Sequence, residues 1–115
     1  MTVAQLKEAL ELEILVKGSM DNRISGCYCG DLLSWVMSHA QSGDAWVTVM
    51  GNVNSIAVAA LADVSCIILS EDAVLDEDAR EKASEQKIPV LRSFKNTYKI
   101  ATEIHSHLLT GFLQS

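Results

Sequence analysis

Basic residues are few. Nine lysines and arginines stand against fifteen acidic residues, a formal charge of −6. A phosphate-backbone partner needs clustered Lys and Arg, and these nine are scattered along the chain, which excludes nucleic acid as a partner. Aromatic residues are scarcer, at 5% against 49% hydrophobic. That balance points to a Val, Ile, Leu and Ala interior rather than an aromatic-rich binding groove. No stretch approaches the roughly 20 apolar residues that span a bilayer. The N-terminus has neither the basic start nor the apolar run of a secretory signal, so no membrane association is expected. Three cysteines without an export signal read as reduced thiols in the cytoplasm.

Catalytic signatures are missing as well. There is no Gly-Lys-Ser/Thr phosphate loop, no Gly-x-Gly-x-x-Gly fingerprint after a strand and no Gly-x-Ser-x-Gly elbow. Gly26 and Gly30 lack the lysine that would help to cradle a triphosphate. No cofactor is expected.

What is present is a regular alternation of elements over residues 1–115, read as one domain with one core. Thr2 to Gln5 has the capping-box pattern, and Val3, Leu6, Ala9 and Leu10 recur at helical spacing, so a helix is predicted to about Glu11. Leu12 to Val16 is predicted as a strand, closed by Lys17-Gly18-Ser19, and Arg23 to Cys29 as a second extended segment. Asp31 is expected to cap a helix that buries Leu32, Val36 and either Leu33 or Met37 and ends near Gly43. Ala45 to Met50 reads as a strand broken by Gly51-Asn52. Asn52 or Asn54 then caps a helix with the stripe Val53, Ile56, Ala57, Ala60 and Leu61. Val64 to Leu69 is almost continuously apolar, as in a strand covered on both faces. Asp76 is expected to cap an acidic helix to Lys87. Pro89 to Leu91 is the next strand, and Asn96 or Thr97 opens a last helix with Tyr98, Ala101, Ile104, Leu108 and Phe112 on one side. Strands alternating with helices across short loops predict an α/β fold: a three-layer domain with a mostly parallel sheet flanked by helices.

Few residues could carry chemistry. Cys27 and Cys29 would share one face of a strand, but too few further ligands accompany them for a metal site. Cys66 lies in the apolar strand as a small hydrophobe. His105 and His107 are roughly 200° apart around a helix and cannot share a metal. His39, late in its helix, is expected to meet terminal carbonyls. Trp35 and Trp46 are expected in the core or at an interface.

The richest segment is Asp21-Asn22-Arg23-Ile24-Ser25-Gly26, continuing to Gly30-Asp31. One reading is an Asp-capped turn held by an ion pair from Arg23 to Asp21 or Asp31. The other is an anion-receptive loop in which Arg23 and backbone N–H groups meet a phosphate or carboxylate. Ligands of open α/β sheets collect at the carboxyl ends of strands. Two stretches are expected there, Ser25 to Asp31 and Met50 to Asn54, each leading into a helix N-terminus that favours an anion. The candidate ligand-binding residues are therefore Asp21, Arg23, Ser25, Gly26, Gly30, Asp31, Gly51, Asn52 and Asn54, with no catalytic or metal-binding residue among them.

The same segment resembles the motif of the DRTGG domain family, carried here by Asp21, Arg23, Ser25 and Gly26. Cys27 stands where the family has its second glycine. Gly30 to Ser34, Gly43 to Thr48, Asn54 to Leu61 and Cys66 to Leu69 follow the family's order, over about residues 2 to 110. The resemblance implies a fold similar to the N-terminal domain of HPr kinase/phosphorylase and, more distantly, to that of Mur ligases. It also implies a domain that occurs alone, beside CBS domains or in some phosphotransacetylases, as a regulatory or dimer-forming module without catalysis. The expected function is thus a non-enzymatic regulatory module, homodimeric, that senses a small anionic ligand such as a nucleotide. The alternative is a protein-interaction subunit that docks on a partner protein and has no small-molecule ligand. A third reading, an enzyme using Cys27 or Cys29, lacks an activating base or acidic orienter.

Overall fold

The computed structural model describes residues 1–114, with side chains described through Thr110. The elements run α1 (Val3–Leu10), β1 (Glu13–Val16), β2 (Gly26–Cys29), α2 (Leu33–His39), β3 (Asp44–Thr48), α3 (Val53–Ala62), β4 (Cys66–Leu69), α4 (Glu77–Gln86), β5 (Val90–Arg92) and α5 (Thr97–Gln114). The five strands form one sheet in the order β1-β5-β4-β3-β2. Four strands are parallel, and β1 alone runs antiparallel, against β5. The predicted alternation and the mostly parallel sheet are both found.

Side-chain alternation divides the sheet between two helical layers. Trp46, Ile67, Leu69 and Val90 point to one face, where α2, α3 and α4 cover them with Val36, Ile56, Ala59, Ala79 and Ala83. Ala45, Val47, Cys66, Ile68 and Leu91 point to the other, under α1 and α5, against Val3, Leu6, Leu10, Ile100 and Ile104. Every residue of β3 and β4 is buried, which is why β4 reads as a continuous apolar run rather than an alternating one.

The capping box predicted at Thr2 is formed: its hydroxyl accepts from Gln5 N, and the Gln5 side chain accepts from Thr2 N. Asn52, not Asn54, caps α3. Other local expectations are corrected. The cap of α2 is Leu32, which is 62% exposed, and no side-chain cap bond is made there. Asp31 is turned away to the end of β3. Met37 is exposed as well, leaving Val36 and half-buried Leu33 to face the core.

On α3 the buried residues are Ser55, Ile56, Val58 and Ala59, and Leu61 is 72% exposed. The sequence VNSIAVAALA is apolar on almost every side, so hydrophobicity cannot select the inward face, whereas packing between α2 and α4 can. Asp76 occupies the cap position of α4 without a side-chain bond. On α5 the inward positions are Ile100 and Ile104, with Leu108 packed beside them, while Tyr98 is exposed. The expected inward place of Phe112 lies outside the described side chains.

Candidate functional site

The short strand β2 divides the candidate residues into two groups. Asp21, Arg23, Ser25 and Gly26 precede it or open it, at the amino ends of the parallel strands. Gly30 and Asp31 follow it, on the same side as Gly51, Asn52 and Asn54, which follow β3. Four strand residues at about 3.3 Å each put roughly 13 Å between the groups. The placement of Ser25 at the carboxyl end is thereby corrected, and so is that of Arg23 as the charge serving that end.

At the carboxyl end the polar groups are already engaged. Asp31 Oδ1 accepts from Thr48 Oγ1 at 2.7 Å and from Val49 N at 3.0 Å. Asn52 Oδ1 accepts from Ser55 N at 3.0 Å, which occupies one of the free amides of the α3 N-terminus. A Cβ on Gly51 would meet the Val74 carbonyl oxygen at 2.1 Å, so that turn is packed shut against the chain leading to α4. Gly30 donates its N–H to Val47 and accepts from Trp46 Nε1 at 2.9 Å. Asn54 is exposed on the first turn of α3.

The amino end is more open. Three connections converge there. Asn22 and Arg23 come from the chain before β2, Ser42 and Gly43 from the turn before β3, and Asp63 to Ser65 from the turn before β4. Asn22 Nδ2 donates to the Ser65 carbonyl at 3.2 Å, and Ser65 Oγ donates to the carbonyl of Arg23. Ser25 N donates to the Gly43 carbonyl at 3.0 Å. Gly43 has φ of 88°, and a Cβ there would meet Ser25 Oγ at 2.5 Å, so only glycine lets the two segments approach. Ser42 Oγ donates to Asp63 Oδ2 at 2.5 Å.

These segments border a cavity of about 220 Å³ that contains Arg23, Asn22, Ser42 and Ser65 in its walls. A second cavity of about 240 Å³ adjoins it through Asn22 and Asp63 and extends to Ser19, Gln86 and Lys87. The ion pair expected from Arg23 to Asp21 or Asp31 does not form. Among the described residues Arg23 has no carboxylate within ion-pair distance, and its side chain is exposed at the cleft.

Sequence reasoning found Arg23 and missed Ser42, Asp63, Ser65 and Lys87. Each of these lies in an ordinary-looking turn, and nothing local shows that the turns meet. The one available signal was positional, since connections into adjacent parallel strands must share one end of the sheet.

Trp46 is fully buried, as expected, but Trp35 is 59% exposed and stacks on His39 with ring centroids 5.0 Å apart. His39 Nδ1 lies 2.9 Å from the Trp35 carbonyl, the contact expected of a histidine late in a helix. Among the described residues no three His, Cys, Asp or Glu side chains gather as a metal site. No described helix is long and apolar enough to cross a membrane.

Fold and site together define a small three-layer α/β domain with a polar cleft at the amino ends of its parallel strands. The chain belongs to the DRTGG domain family, whose profile matches residues 5–107. No curated protein matches it. Among solved structures it is similar to the CBS and DRTGG domains of the regulatory region of Clostridium perfringens pyrophosphatase, a structure complexed with its activator, diadenosine tetraphosphate. The identity is 12% and the TM-score 0.72, over 90% of this chain and 45% of that one. At that identity the likeness is one of fold, and this chain spans less than half of its neighbour's length.

Proposed function

We propose that this protein is a cytoplasmic regulatory module without a catalytic centre, that it forms a homodimer, and that the cleft at the amino ends of its strands receives a small anionic ligand, a nucleotide. The observation that carries the reading is Arg23. Its guanidinium stands at a cleft bordered by Asn22, Ser42 and Ser65, with no carboxylate neutralising it among the described residues. An unpaired guanidinium at the mouth of an open polar cleft suits a phosphate, although the Ser42 and Ser65 hydroxyls there already donate to Asp63 and to the Arg23 carbonyl. Asp63, which also borders the cleft, opposes an anion, and the hydrogen bond from Ser42 offsets part of that opposition. The loop Asp21 to Gly26 holds Arg23 in place, while Gly30, Asp31, Gly51 and Asn52 hold the far end of the sheet together and Asn54 stands exposed beside them. The similarity in fold to a regulatory region that binds diadenosine tetraphosphate supports a polyphosphate ligand.

Adenosine mono-, di- and triphosphate and diadenosine tetraphosphate, titrated calorimetrically against wild type and Arg23→Ala, test the reading. Loss of an Arg–phosphate contact is expected to weaken binding by roughly ten- to a hundred-fold, or about 1.5–3 kcal/mol. Absence of binding to wild type at millimolar nucleotide would remove the sensing function. It would favour a protein-interaction subunit, a reading that the exposed Val74, Phe94 and Tyr98 near the carboxyl ends of the strands support.

A further inference from the structure

We propose that Cys27 and Cys29 form a thiol–disulfide redox pair: Cys29 attacks a low-molecular-weight disulfide, and Cys27 resolves the product to an intramolecular disulfide. The pair lies on a different part of the molecule from the nucleotide cleft, and the proposal stands whether or not a nucleotide binds.

The geometry begins with strand alternation. Residues two apart on β2 project to the same face, and the two Sγ atoms lie 3.9 Å apart in hydrogen-bonding contact. Their burial divides the roles. Cys29 is exposed and can meet a reagent, whereas Cys27 is partly buried against the α1/α5 core and cannot lead the reaction.

Charge divides them in the same sense. The Cys27 thiol, donating to Cys29, holds the Cys29 thiolate and draws its pKa down from 9.0 to about 7, although burial and Asp31 act against the shift. Cys27 is pushed up by that same hydrogen bond, then by burial and by Cys29, Asp44 and Cys66. Near neutral pH the exposed sulfur is therefore the nucleophile and the sheltered one keeps its proton. Cys66, wholly buried, is pushed up to about 12 by burial and takes no part.

The chemistry balances in two exchanges. The Cys29 thiolate attacks one sulfur of R–S–S–R, forming Cys29–S–S–R and releasing RS⁻, which takes a proton from water. Cys27 then loses its proton to solvent and attacks Cys29 Sγ, forming the Cys27–Cys29 bond and expelling the second RS⁻. The external disulfide gains two electrons and the protein dithiol loses two.

Consecutive same-face residues of a strand have Cα atoms about 6.6 Å apart. This is near the upper limit of about 6.8 Å for a disulfide, so closure draws β2 into a pucker. β2 is an edge strand paired only with β3, which leaves it room to bend. A strained, exposed disulfide of this kind is readily reduced again, as suits a reversible modification and not a structural bridge.

The test uses the whole chain, oxidised glutathione as the disulfide, and mass spectrometry with peptide mapping. Wild type is expected to lose two hydrogens, mapped to Cys27–Cys29, and to regain them with a thiol reductant. Cys27→Ala is expected to stop at one glutathionyl group on Cys29, and Cys29→Ala to react far more slowly. At pH 7 the first step in Cys27→Ala should be at least roughly five-fold slower than in wild type. Without the Cys27 hydrogen bond, burial and Asp31 hold the Cys29 thiol above its ordinary value of 9.0, so the thiolate fraction falls by more than about fifty-fold, and the greater nucleophilicity of the more basic thiolate recovers only part of that. Circular dichroism verifies that each variant is folded, and mapping of wild type decides the matter if one is not. Wild type that stays reduced, or that accumulates the glutathionyl adduct without closing the intramolecular bond, overturns the proposal.

Discussion

Asp31 illustrates how a residue can be chemically conspicuous in the sequence and still have its role set by a distant partner. Beside Gly30 and ahead of a helix it has the marks of an N-cap and of a ligand-loop residue. In the fold its carboxylate accepts from the Thr48 hydroxyl and the Val49 amide, joining the end of β2 to the end of β3. Thr48 is almost wholly buried and passes the connection on by accepting from Met50 N. Asp31→Ala strips the Thr48 hydroxyl of its acceptor where water reaches poorly, so a loss of about 1–3 kcal/mol is expected in urea unfolding. Asp31→Asn, which keeps an accepting oxygen, should recover most of it. Equal stability of wild type and the alanine variant would show that this link contributes nothing. Arg23 is the converse case: its chemistry was legible, but its end of the sheet was not, because the direction of β2 relative to β3 follows from pairing.

At the scale of elements, termini were read more reliably than faces. Asn52 and Asn54 were equal candidates for the cap of α3, since either could bond an amide two or three residues on. The chain enters the helix at Val53, which leaves Asn52 in the extended conformation a cap needs, with its Oδ1 on Ser55 N. Asn52→Ala is therefore expected to cost about 1 kcal/mol, and Asn54→Ala, at an exposed helical position, to stay within about 0.5 kcal/mol. Thermal unfolding of the two variants side by side checks the assignment, and equal losses would refute it. The face of α3 was misread because α3 is apolar all round. On α5 Ile104 and Leu108 face the core as expected, and Ile100, not Tyr98, joins them there. A hydrophobic stripe identifies a face only where the opposite side is polar.

For the molecule as a whole, the surface left uncovered bears on assembly. Leu32, Trp35 and Met37, from the start of α2 onward, are all exposed, and the adjacent β2 ends the sheet with a free edge. Exposed apolar side chains beside an open edge are features that association covers. Light scattering at micromolar protein is expected to return twice the chain mass, and Trp35→Glu to shift the population toward monomer. A wild-type monomer at that concentration would sink the homodimer.

The sequence by itself determined the fold class and the order of elements, because the alternation of helical and strand periodicities is a property of neighbouring residues. It determined the wholly buried central strand for the same reason, through an unbroken apolar run. It also determined the scarcity of chemistry-bearing groups, which follows from composition. Only the tertiary structure decided that β1 lies antiparallel at the edge beside β5, since register and direction belong to pairs of strands. Only it decided that the segment from Asp21 to Asp31 serves both ends of the sheet, with a strand between them. The cleft holding Arg23, Ser42, Asp63 and Ser65 is likewise tertiary: its walls come from three turns that parallel pairing brings to one end, and no local pattern records that meeting.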